Sequence, residues 1–188
     1  MVLNFAKSCL ACAKAKAHQS SSPVVPVSAS ASVPFERVSM DLVGPLPPCR
    51  GQRWILVMVD HFTTYAEITS IPNKEASTVA NAFFCSWILK HGVPSFVLSD
   101  QGREFVNKIL EQLSEILGIK MLHTSGFRPQ TNGLCERQNR TINQFFRMHF
   151  QAVRGNWVPL IPYVQYTANN LPCFPPDHSY TPYELVFG

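Results

Sequence analysis

The sequence predicts an α/β domain of three layers, a mixed five-stranded sheet flanked by helices. Three observations carry that expectation. The continuous apolar run at residues 54–59 (WILVMV) reads as a strand buried on both faces. Ala76, Val79, Ala80, Phe83, Trp87 and Ile88 recur at helical spacing. After that helix the short strand-like runs are separated by helical stretches, the order that builds parallel crossovers onto an antiparallel start.

Taken in order, residues 36–43 (ERVSMDLV) form a first strand ended by Gly44-Pro45, with Asp41 near its end. Residues 54–59 and 65–71 continue an antiparallel meander. The helix from Ala76 stops at His91-Gly92, with Pro94 beyond it. Residues 95–99 (SFVLS) make a fourth strand that runs into Asp100, and Phe105, Ile109, Leu113, Ile116 and Leu117 mark the core face of a second helix that stops at Gly118. A fifth strand covers residues 120–123. The stretch 125–133 (SGFRPQTNG) has loop chemistry, and Asn132 is positioned to cap a long helix reaching about Phe150. A last helix covers residues 157–170, kinked or delayed by Pro159 and Pro162. Three strands, helix, strand, helix, strand and further helices is the order of a ribonuclease H-like fold.

With 188 residues and 46% hydrophobic composition, the chain can bury one proper core. The formal charge of +4 is compatible with a polyanionic partner but does not identify one. No run has the length of a membrane span and residues 1–10 lack the apolar stretch of a signal peptide, so a soluble, intracellular protein without membrane contact is expected. Six irregularly spaced cysteines are then reduced thiols, and only Cys9 and Cys12 have metal-ligand spacing. Residues 19–34 (QSSSPVVPVSASASVP) carry no charge and no amphipathic period. They read as a flexible linker between an N-terminal piece, residues 1–18, and the main domain, residues 35–188.

Two carboxylates stand at predicted strand ends, Asp41 and Asp100, and a third, Glu136, stands in the first turn of the long helix. Strand ends and helix starts converge at one edge of such sheets. Taken singly, each has an ordinary structural explanation, turn chemistry for Asp100-Gln101-Gly102 and helix-dipole pairing for Glu136. Together they form a set of hard oxygen donors for Mg²⁺ or Mn²⁺, the need of phosphoryl transfer between polynucleotides. Asp60 reads as structural, and His61 and His123 read as lone, satisfied histidines.

Thirty-five residues separate Asp100 from Glu136. Around them stand MDLVGPLP at 40–47, VDHFTTY at 59–65, HGVP at 91–94, LSDQGREF at 98–105, RPQTNGLCER at 128–137 and TPYELVFG at 181–188. From about Phe35 to Gly188 the chain resembles the catalytic cores of retroviral and long-terminal-repeat retrotransposon integrases, the Asp-Asp-35-Glu family, most of all its Ty3/gypsy-type branch. The resemblance implies a nuclear enzyme that processes DNA 3′ ends and inserts retroelement DNA into host DNA as a homo-oligomer. It also implies two Mg²⁺ or Mn²⁺ ions, one shared by Asp41 and Asp100 and the other by Asp41 and Glu136.

Family members grip the DNA terminus with helix positions that correspond here to Asn139, Arg140 and Asn143. Helical spacing puts Arg147 on the face of Arg140 and Asn143, and Gln130 and Asn132 in the preceding loop are counted with them as DNA-facing candidates. Cys9 and Cys12 resemble the last two ligands of the His-His-Cys-Cys zinc module that precedes such cores. His18 alone does not complete a tetrahedral site with them, so this chain is not expected to hold zinc by itself. The competing reading is a catalytically silent, domesticated or decayed fragment that works as a DNA-binding or interaction module.

Overall fold

The computed structural model describes residues 31–99, 108–123, 142, 144, 155–172 and 180–188. Five strands, β1 (Arg37–Val43), β2 (Trp54–Asp60), β3 (Ala66–Ile71), β4 (Phe96–Ser99) and β5 (Lys120–His123), make one sheet in the order β3-β2-β1-β4-β5. β1 pairs antiparallel with β2 and β2 with β3, whereas β1–β4 and β4–β5 are parallel. The mixed five-stranded sheet is therefore as the sequence predicts. Helix α1 (Ala76–Phe83) runs through a π-helical segment (Phe84–Ile88) into α2 (Leu89–His91), and α3 (Lys108–Leu117) links β4 to β5. A 3₁₀ turn (Val158–Leu160) leads into α4 (Ile161–Asn170), and α5 (Pro182–Phe187) follows.

Alternation along the strands feeds two apolar layers. Val38, Met40, Leu56, Met58 and Val97 pack with Val79, Phe83, Trp87 and Leu110. On the other side Ile55, Val57, Val59 and Ile68 pack with Ile142, Trp157, Ile161, Val164 and Ala168. β2 contributes to both layers, which explains why its sequence is apolar without interruption.

The predicted start of the last helix is delayed as its prolines suggest, since Val158–Leu160 is 3₁₀ and the α-helix begins at Ile161 with Pro162 in its first turn. The expected core face of α3 needs a correction at Ile116, which is 81% exposed while Leu110 is 1% exposed. Six residues at about 100° each put Ile116 on the side of the helix away from Leu110, and Leu110 faces the sheet. Helix α5 is absent from the sequence-based expectation, although its signal is in the sequence: Thr181 Oγ1 accepts from Glu184 N at 3.2 Å and Glu184 Oε2 accepts from Thr181 N at 2.8 Å.

Beyond β1 the chain turns at Gly44, whose φ is +149° and where an added Cβ would lie 2.7 Å from Trp54 Cε3 and 3.0 Å from Arg53 O. Gly44→Ala is expected to cost on the order of 1–3 kcal/mol, because backbone and an indole ring must both give way. A urea unfolding midpoint lowered relative to wild type, at unchanged slope, is the measurement.

Candidate active site

Asp41 lies at the C-terminal end of β1, opposite Val57 of β2. Residues directly opposed in an antiparallel pair share a face, so Asp41 stands on the side of Val57, Trp157 and Ile142. Its Oδ1 accepts from Leu42 N at 2.8 Å, which orients the carboxylate, and the residue is half-buried. Ser39 pairs with Leu98 across the parallel β1–β4 ladder. Both strands therefore end at one edge, and Ser99, the last residue of β4, pairs with His123 at the end of β5. Asp100 follows Ser99 in sequence.

Asp100, Glu136, Gln130, Asn132, Asn139, Arg140, Asn143 and Arg147 lie outside the described residues, as do Cys9 and Cys12. Two residues of the expected long helix are described: Ile142 and Gln144 are helical, and Ile142 is 1% exposed within the same layer as Val57. Among the described residues no group of three His, Cys, Asp or Glu side chains could hold a metal, and no helix is long and apolar enough to cross a membrane.

Asp60 and His61 are placed elsewhere. Asp60 opposes Val38, so both residues sit at the opposite edge of the sheet from Asp41. The Asp60 carboxylate is fully buried and accepts from Phe35 N (3.0 Å), Thr63 N (2.8 Å) and Thr63 Oγ1 (2.7 Å). It ties the chain's entry into the core to the β2–β3 turn. Burial raises its pKa more than these hydrogen bonds lower it.

Burial, and secondarily the positive charge of Arg37, lowers the pKa of His61 to about 4. Between that value and the ordinary histidine value of 6.5 the native state binds fewer protons than the unfolded chain, so stability falls as pH falls through this window. At about 1.36 kcal/mol per unit the loss approaches roughly 3 kcal/mol. Asp60, with its raised pKa, opposes this trend, since its contribution grows on acidification. Urea titrations from neutral pH down to the acid range should show a smaller decline for His61→Gln than for wild type.

Sequence patterns did not reveal Glu67. This buried carboxylate on edge strand β3 accepts from Lys90 Nζ (2.9 Å) and Gln165 Nε2 (3.0 Å) and meets His91 Nε2 at 3.1 Å. Burial alone would raise its pKa, but the bonds from His91, Lys90 and Gln165 outweigh that and lower it. Asn169 closes the strand's outer edge by accepting from Ala66 N (2.8 Å) and donating to Ala66 O (2.9 Å), and Gln165 Oε1 accepts from Ile68 N at 2.9 Å. These bonds fasten α2 and α4 to β3 and protect an exposed sheet edge. Strand alternation marks Glu67 as inward, but its partners lie up to 98 positions away in sequence.

The family model for the integrase core domain matches residues 31–129. The chain belongs to the integrase core domain family. It is 36% identical over 155 residues to the retrovirus-related Pol polyprotein from transposon 412 of Drosophila melanogaster, a match covering 82% of this chain and 12% of that protein. The chain thus spans only about an eighth of this relative's length. Its fold is similar to the catalytic core domain of BIV integrase, with a TM-score of 0.63 at 21% identity, covering 80% of this chain and 93% of that one. It is also similar to the HTLV-2 integrase catalytic core domain in complex with magnesium, in its dimeric form, with a TM-score of 0.59 at 14% identity over 82% of this chain and 97% of that one. The ribonuclease H-like resemblance of the sequence is borne out at the level of family and fold.

Proposed function

We propose that this integrase core is a metal-dependent polynucleotidyl transferase that processes retroelement DNA 3′ ends and joins them to host DNA, with Asp41, Asp100 and Glu136 as its catalytic carboxylates. One observation supports it most: Asp41 stands where β1 and β4 end side by side, on the sheet face covered by Ile142, with Asp100 next after β4 and Glu136 six residues before Ile142. A helix passing through Ile142 at about 100° per residue turns positions 136, 140, 143 and 147 away from the apolar layer. On such a helix Glu136 and the DNA-facing candidates Arg140, Asn143 and Arg147 would share the side away from Ile142, whereas Asn139, three residues before Ile142, would lie only about 60° from it.

Asp41 suits a hard divalent cation, since it is an oriented, half-buried carboxylate and a carboxylate oxygen accepting one N–H retains lone pairs for a ligand. Asp41, Asp100 and Glu136 would hold Mg²⁺ or Mn²⁺, which would supply Lewis-acid stabilisation of the phosphoryl oxygens. That the similar HTLV-2 core is in complex with magnesium supports a divalent cation as the ligand. The protein's part is to hold the two DNA segments in line. The oxygen of water in end processing, or of a 3′-hydroxyl in joining, attacks phosphorus and gives up its proton to solvent, the bond from phosphorus to the leaving 3′-oxygen breaks, and that oxygen takes up a proton from solvent. Residues 1–18 as a partial zinc module, residues 19–34 as a linker, DNA as partner, a homo-oligomer as the working form and the nucleus as its site complete the proposal.

The experiment uses labelled branched DNA, which brings its own 3′-hydroxyl to the scissile phosphate, in Mn²⁺. The chain is expected to resolve the branch, and Glu136→Gln is expected to abolish the product by removing a cation ligand. Product from the variant at the wild-type rate would sink the assignment of Glu136. Product from neither protein would count for a catalytically silent module.

A further inference from the structure

Away from the carboxylate edge, β3, α4 and α5 enclose a cleft of about 390 Å³ whose lining includes Tyr65, Tyr166, Tyr183, Pro162, Gln165 and Asn169. Its floor is rigid, because the Gln165 and Asn169 amides bond the β3 backbone. Its rim is aromatic and open: Tyr166 is 70% and Tyr183 47% exposed. Phe187 joins the rim to the floor, with its ring centroid 4.8 Å from that of Tyr183 and 5.9 Å from that of Tyr65. None of the lining residues is charged. Aromatic rings beside a proline, with phenol hydroxyls at the rim, are the chemistry that receives a polyproline II segment, whose carbonyls have no internal partner.

We propose that residues 23–27 of this same chain (PVVPV) dock in this tyrosine cleft. The two prolines stand three apart, which is one turn of polyproline II, so both present to one side. The surrounding stretch, residues 19–34, is as uncharged as the cleft. The chain also enters the core at the cleft wall: the Phe35 ring lies 6.4 Å from the ring of Tyr65, its backbone N–H is held by Asp60, and Ala31 is already buried. Only residues 28–30 separate Val27 from the buried Ala31, a reach of about 13 Å over four steps at roughly 3.3 Å each. Such a short tether gives an effective concentration on the order of millimolar, enough to populate contacts that would be weak between separate molecules. Docking would set the path by which the N-terminal segment leaves the core, a role independent of the carboxylate chemistry.

The test is fluorine NMR on the full chain carrying 3-fluorotyrosine at its five tyrosines, comparing wild type with Pro23→Ala/Pro26→Ala. Equal melting midpoints of the two proteins show that the core folds in both. The Tyr166 and Tyr183 resonances are expected to differ between the two proteins, and that of Tyr163, exposed on the same helix but outside the cleft, to coincide. The difference should persist on dilution. Identical Tyr166 and Tyr183 resonances would overturn the proposal. A difference that disappears on dilution would also overturn it, since the occupant would then be the segment of a second copy.

Discussion

Asp41→Asn is expected to remove DNA joining, with a fall on the order of a thousandfold or more, while leaving the fold intact. The amide keeps the volume and the oxygen that accepts from Leu42 N, so β1 retains its local geometry. What disappears is a negative charge at the strand edge where, in the proposed site, Asp41 would help hold the divalent cation. Losing several kcal/mol of transition-state charge stabilisation corresponds to about three powers of ten in rate. Two measurements separate the possibilities: product formation from branched DNA in Mn²⁺, and calorimetric titration of Mn²⁺ into each protein. A thermal midpoint equal to wild type with no product and reduced heat is the expected set. Wild-type product from Asp41→Asn would remove this residue from the site.

Trp157→Ala is expected to have the largest effect on stability, a loss of about 3–5 kcal/mol. The indole is fully buried, and its Nε1 donates to Pro47 O at 2.7 Å, so truncation opens a cavity and leaves a carbonyl without its partner. For a chain of this size each kcal/mol lowers the melting temperature by roughly 2–4 °C, so the midpoint should drop by about 6–20 °C. Trp157→Phe fills most of the volume without the donor and should lose only about 1 kcal/mol. The effect reaches function because Trp157 packs in the same layer as Val57 and Ile142, which back the face bearing Asp41. Circular dichroism melts of both variants decide it, and a melt of Trp157→Ala within a degree or two of wild type would contradict this account of the core.

Much of the architecture was legible because local signals agreed with the global fold. The run at residues 54–59 announced a strand with apolar neighbours on both faces, and Gly92 and Gly118 ended helices where positive φ is needed. Where two readings of one pattern were available, the sequence failed. In α3 the apolar residues form overlapping stripes, and Ile116 reads as inward although the sheet meets the stripe through Leu110. The six-residue α5 was too short for periodicity to register, and only its Thr181–Glu184 capping box marked it. Asp60 could be recognised as structural from its turn, but the reason appears only in three dimensions: the antiparallel register places it at the edge away from Asp41, bonded to Phe35 and Thr63.

By itself the sequence determined the kinds of element, their order, the family and the candidate carboxylates, because strand alternation, helical spacing and motif chemistry are carried by residues close together in the chain. Only the tertiary structure decided which edge and which face of the sheet Asp41 occupies, that Glu67 is a buried fastening for three elements, and that Tyr65, Tyr166 and Tyr183 enclose one cleft. Those relations join residues up to about a hundred positions apart, and they are set by strand register and by which side of each helix reaches the sheet.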